Sequence, residues 1–142
     1  MHHAKRCLLD ALGCAIGAYK APGRLICEDA AVEIGGPEEA TIFGSGRRTS
    51  ALNATLTNTF LIRYLDYNDM GGGGHNSDSI GSIIAVAERE KVTGRDFLTS
   101  LVTSYELGAR FSDAPGGHTA LMLKAGRATC AAEFLCHLHW VK

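Results

Sequence analysis

The chain has 142 residues, 46% of them hydrophobic and 20% charged. That is the composition and length of one core-forming domain. Lys+Arg of 14 against Asp+Glu of 15 leaves a net charge of −1. This excludes nucleic acid or an anionic membrane as the main partner, because both need a basic surplus. No apolar run approaches the roughly 20 residues that span a bilayer. The basic start, Met1-His2-His3-Ala4-Lys5-Arg6, leads into a stretch cut by Asp10 with no clean cleavage site, so no signal peptide is expected. The cysteines, Cys7, Cys14, Cys27, Cys130 and Cys136, are odd in number and show no CxxC spacing. They read as free thiols, and the expected location is the cytoplasm.

Residues 4–19 place Cys7, Leu8, Ala11, Leu12, Ala15, Ile16 and Tyr19 on one stripe of a helix. Gly13 and Gly17, four apart, offer a place where a second helix could approach closely. Ala21-Pro22-Gly23 ends this helix, and another fits residues 24–34, with Leu25, Ala30, Ala31 and Ile34 apolar and Gly35-Gly36-Pro37 as its stop. Ala40-Thr41-Ile42-Phe43 is too short for a helix and reads as a brief extended segment. The following Gly44-Ser45-Gly46-Arg47-Arg48 is a turn. It lacks the third glycine of a dinucleotide fingerprint and the Gly-Lys-Ser/Thr of a P-loop, so phosphate binding is not expected.

Thr49 or Ser50 can cap a helix over residues 51–64 that carries Leu52, Leu56, Phe60 and Ile62. Four glycines, Gly71 to Gly74, cannot be helix interior. Helices follow over residues 80–91, broken by Thr93-Gly94, and over residues 96–111, where Asp96 suits the positive end of the helix dipole. The expected fold is all-α: a bundle of five helices with at most one short extended segment. From Ser112 onward the pattern degrades. Cys130, Cys136, His137 and His139 match no zinc-ligand spacing, so no metal is expected.

One cluster is dense in chemistry. Asp66-Tyr67-Asn68-Asp69 follows a helix end, and His75-Asn76-Ser77-Asp78 follows the glycines. Two carboxylates three residues apart share a face, and the glycine run leaves the backbone free to bring His75 back towards them. A histidine held in one tautomer beside carboxylates is equipped to move a proton on and off carbon. The same residues also fit a capped helix junction with solvated charges, and spacing alone does not separate the two.

The sequence resembles the MmgE/PrpD family. The resemblance is carried by Ala4-Lys5-Arg6-Cys7-Leu8-Leu9-Asp10-Ala11-Leu12-Gly13, by Gly44-Ser45-Gly46-Arg47 and by Ser50-Ala51-Leu52-Asn53-Ala54. Most specific are Arg63-Tyr64-Leu65-Asp66-Tyr67-Asn68-Asp69 with His75-Asn76-Ser77-Asp78, then Tyr105-Glu106 with Arg110. The family includes 2-methylcitrate dehydratase, cis-aconitate decarboxylase and iminodisuccinate epimerase, which make or consume a carbanion beside a carboxylate without an iron–sulfur cluster. The resemblance implies a large helical domain with a smaller α/β domain elsewhere in the full protein, a di- or tricarboxylate substrate, no cofactor and a homodimer for the full-length member. It implies catalytic roles for Asp66 and His75, with Asp69 supporting them; Asn68 and Ser77, in the same two motifs, are the candidates for substrate contact. Met70 stands where several members have threonine, and Asn76 where many have proline.

A second histidine, a lysine and a tyrosine that complete the family pocket would lie beyond this chain. Residues 1–113 are therefore expected to be a partial helical domain, inactive alone. Residues 114–142 are expected to be a divergent tail read out of frame: the shifted codons of residues 122–127 permit a Gly-Trp pair that opens a family segment. The alternative is a non-enzymatic helical interaction module or truncated gene product.

Overall fold

A computed structural model describes residues 1–70 and 74–113, with side chains as far as residue 110. The expectations for the tail, including Trp140 and the Cys130–His139 group, and for Gly71, Gly72 and Gly73 lie outside the described residues. The described chain is mainly helical: α1 (His2–Gly17), a 3-10 turn (Ala18–Lys20), α2 (Pro22–Ile34), strands β1 (Ala40–Thr41) and β2 (Arg48–Thr49), α3 (Ala51–Arg63), a 3-10 turn (Asn76–Ser79), α4 (Ile80–Glu90) and α5 (Gly94–Asp113).

Local chemistry sets the helix ends. Pro22 not only closes the first helical region but opens α2 at its first position, where its missing N–H costs nothing. Ser50, not Thr49, caps α3 by accepting from the Asn53 N–H at 3.3 Å. Thr49 instead pairs with Ala40 in the hairpin. Thr93 caps α5 by accepting from the Asp96 N–H at 3.3 Å and donating to the Asp96 carboxylate at 2.7 Å. The extended segment expected at Ala40–Thr41 is one arm of an antiparallel pair, in register Ala40 with Thr49 and Thr41 with Arg48. The turn between them has Gly44 and Gly46 at positive φ, and a Cβ on Gly44 would clash with the edge of the Tyr19 ring, 2.2 Å from its Cε2. Its arginines are engaged: Arg47 faces the buried Glu28 at 3.5 Å, and Arg48 pairs with Glu88 at 2.8 Å.

The core joins Ala4, Ala11, Ala15 and Ala18 of the first helical region to Leu61 and Ile62 of α3, Ile80 and Ile83 of α4, and Leu101 of α5. Of the expected stripes, Cys7, Ala11, Ala15, Ala31 and Ile62 are buried, but some of the large side chains are not. Ile16 is 76% exposed and Leu52 65% exposed, whereas α1 buries Ala4, Cys7, Ala11, Cys14 and Ala15. Small residues line the contacts because they let helices approach. The closest such contact is not at Gly13, where a Cβ would meet nothing within 4 Å, but at Gly81 of α4, where it would stand 2.8 Å from the Thr59 backbone nitrogen.

The buried face of α3 is partly polar, and its amides are used. Asn58 accepts from the Phe43 N–H at 2.8 Å and donates to the Thr41 carbonyl at 2.9 Å, so it ties the hairpin to α3 as a strand would. Asn53 donates to the carbonyls of Ala31 and Gly35, closing the end of α2.

Candidate active site

The dense motif lies where α3 ends and the 3-10 turn before α4 begins. Asp66 stops the chain in the left-handed region, with φ of 51°, a conformation aspartate tolerates better than most residues. His75 lies between Asp66 and Asp69. Its Nδ1 is 2.9 Å from the Asp69 carbonyl oxygen and its Nε2 is 3.5 Å from Asp66 Oδ1. A carbonyl only accepts, so Nδ1 carries the proton in this contact and donates it. In the neutral ring, the Nε2 lone pair then faces the Asp66 carboxylate and the solvent side.

Asp69 supports the histidine with its main chain. Its carboxylate turns inward, and Oδ1 is buried without a hydrogen-bond partner of normal geometry. The Tyr105 phenol faces it. Burial, then the Asp69 carboxylate and the Cys7 thiol, raise the phenol far above its ordinary range, and burial, then Asp69, push Cys7 up as well.

Asn68 and Ser77 are both buried, and the Asn68 amide donates to Ser77 Oγ at 2.8 Å and to Asp78 Oδ1 at 3.2 Å. The two therefore lock the halves of the motif together beneath His75.

Residues without an assigned role in the sequence reading complete the arrangement. Arg63, in the last turn of α3, pairs with the Asp66 carboxylate and lies 3.7 Å from Asp78. Its position three before Asp66 was the available signal, since residues so spaced meet on one helical face. Helix α5 packs over the other side: Ser79 and Ser104 share a 2.7 Å hydrogen bond, and a Cβ on Gly108 would sit 2.5 Å from the Asn76 side-chain oxygen.

Among the described residues no group of His, Cys, Asp and Glu could hold a metal ion, and no helix is long and apolar enough to cross a membrane. Cys7, Cys14 and Cys27 are free thiols.

The described residues form a mainly helical domain that holds a histidine between two aspartates at a helix junction. The MmgE/PrpD N-terminal domain matches residues 1–135, and the chain belongs to that family. The match runs past Asp113, where the resemblance read from the motifs ends. The chain is similar to the 2-methylcitrate dehydratase-like protein oryR of Aspergillus oryzae, at 32% identity over 76% of this chain and 25% of that protein. It is similar to the alkylcitrate dehydratase phiI of Talaromyces stipitatus, at 38% identity over 61% of this chain and 19% of that protein. It is also similar to the 2-methylcitrate dehydratase of Cupriavidus necator, at 29% identity over 73% of this chain and 24% of that protein. The chain thus spans about a quarter or less of the length of these relatives. No solved structure gives a significant match.

Proposed function

We propose that this chain supplies the acid/base segment of an enzyme that eliminates water from a hydroxylated di- or tricarboxylic acid of the 2-methylcitrate type. The observation that carries this reading is the placement of His75 between the Asp69 carbonyl and the Asp66 carboxylate. With Nδ1–H committed to the carbonyl, Nε2 is free to take a proton from the carbon beside a substrate carboxylate. The C–H electron pair becomes the new C=C bond as the C–OH bond breaks. The proton gained at Nε2 balances the one the hydroxyl needs to leave as water. Asp66 stabilises the imidazolium formed in between or orients the substrate hydroxyl, and Asp69 fixes the tautomer. Arg63 adds a cation where a substrate carboxylate would approach. Asn68 and Ser77, both buried and bonded to each other, form the floor of this site. The relatives' names support the substrate class. The free thiols support a cytoplasmic setting, and the full-length enzyme is taken to be a homodimer.

The test is turnover of 2-methylcitrate, followed by ultraviolet absorbance of the unsaturated product. An assembled full-length enzyme carrying this segment should lose about two to four orders of magnitude with His75→Ala. Asp66→Ala should be severe, and His118→Ala should change nothing. The 142-residue chain alone should show no turnover. Near-full activity of the His75→Ala enzyme across the pH range would leave this cluster as no more than a capped helix junction.

A further inference from the structure

Three buried polar atoms lack hydrogen-bond partners among the described side chains: Asn68 Oδ1, Asp69 Oδ1 and the Tyr105 hydroxyl. Two are acceptors, and only the phenol carries a proton to donate. An unpaired buried donor and an unpaired buried acceptor each carry a desolvation cost that pairing removes. The Asp69 carboxylate and the Cys7 thiol of α1 are the groups near enough to act on the phenol, which makes Asp69 the buried acceptor within its reach. The surrounding packing holds them there. Tyr105 stands on α5 between Ser104, bonded to Ser79, and Gly108, pressed against Asn76. Helix α5 therefore grips the segment just after His75 at two points, with Tyr105 between them. Asp69 then has two ends in use: its carboxylate towards Tyr105 and its carbonyl towards His75 Nδ1 at 2.9 Å.

We infer that Tyr105 is a positioning residue: its hydroxyl anchors the Asp69 carboxylate, so that the Asp69 carbonyl is fixed where it selects the Nδ1–H tautomer of His75. This rests on the proposed role of His75 as the base, because only then does a lone pair fixed at Nε2 have a use. Tyr105 need not touch substrate. It acts through Asp69, and Tyr105→Phe removes the anchor while keeping the ring that packs against the core.

The experiment reads the ring nitrogens of His75 in the 142-residue chain by nitrogen-15 NMR, at a pH where the imidazole is neutral. The His75 signals are assigned by their loss in His75→Gln. The wild-type chain should show mainly the Nδ1–H tautomer. Tyr105→Phe should lower the ratio of Nδ1–H to Nε2–H about fivefold, the factor that a hydrogen bond of ordinary net strength carries. A ring merely filling space would leave that ratio untouched, so an unchanged ratio in a folded Tyr105→Phe chain overturns the inference. Should that variant fail to fold, the unsubstituted chain decides. The Tyr105 hydroxyl proton should then appear as a slowly exchanging signal with a cross-peak to Asp69, and its absence overturns the inference equally. Turnover does not enter this readout, so a His75 without a catalytic role and a Tyr105 without a positioning role are told apart.

Discussion

Gly81→Ala tests the helix crossing that presents the site. Gly81 lies one residue into α4, directly after the 3-10 turn that follows His75. An added Cβ would stand 2.4 Å from Thr59 Oγ1, 2.8 Å from the Thr59 nitrogen and 3.2 Å from its Cα. The hydroxyl could rotate away, although it would forfeit its 3.3 Å bond to the Asp78 carbonyl. The backbone atoms cannot. The methyl is about 0.6 Å short of ordinary contact with the nitrogen, so α3 and α4 must separate. Leu61, Ile62, Ile80 and Ile83 all meet across that crossing. Overpacking of this kind costs up to about 3 kcal/mol, offset by at most about 1 kcal/mol for replacing a helix glycine with alanine. The net expectation is about 2 kcal/mol of destabilisation, a fall in Tm of about 5–10 °C for a chain this size. Thermal unfolding followed by far-ultraviolet circular dichroism measures it. Gly13→Ala is the paired control: the same substitution in α1, with nothing within 4 Å of the new methyl, should raise stability by up to about 1 kcal/mol. Equal effects at the two glycines would mean that α3 and α4 do not cross at Thr59 and Gly81, and the reasoning would fail.

The other expectations concern single tethers. Burial would raise the Glu88 carboxyl, but hydrogen bonds from the Thr41 side chain and backbone and from Arg48 outweigh it and hold it below the ordinary value of 4.5. Its contribution is therefore complete above pH 4.5 and is lost as pH falls from there through the lower folded value. Glu88→Gln should cost about 1–2 kcal/mol at neutral pH and flatten the acid limb of a stability–pH profile. An acid limb that matches the wild type would remove Glu88 from the account. Lys91 ends α4 in the left-handed region at φ of 52°, exposed and without glycine's freedom. Lys91→Gly should raise the urea midpoint by an amount equivalent to about 1 kcal/mol, and a lowered midpoint would show that the lysine side chain matters more than its backbone.

Local rules carried much of the architecture in the sequence itself. The cap at Thr49 or Ser50 and the glycines after Ile34 act on backbone groups within a few residues, so those helix ends were legible without knowing the fold, whereas Pro22 and Thr93, read as stops, also open the next helix. The family motif placed Asp66, Asp69 and His75 in one neighbourhood for the same reason. Which face of each helix goes inward was a different matter. The expected stripes bury their small members, Cys7, Ala11, Ala15 and Ala31, and Ile62, while Ile16, Leu25 and Leu52 are exposed and further contacts run through Gly81, Thr57 and Asn58. Burial depends on what another element brings to the surface, and small or hydrogen-bonded residues permit an approach that large side chains block. Tertiary structure alone also divided Asp69 between its two ends, carbonyl to His75 and carboxylate towards Tyr105 on a helix thirty-odd residues away. A sequence states which groups a residue has, but only the packing of α5 against the 3-10 turn decides which of them each neighbour meets.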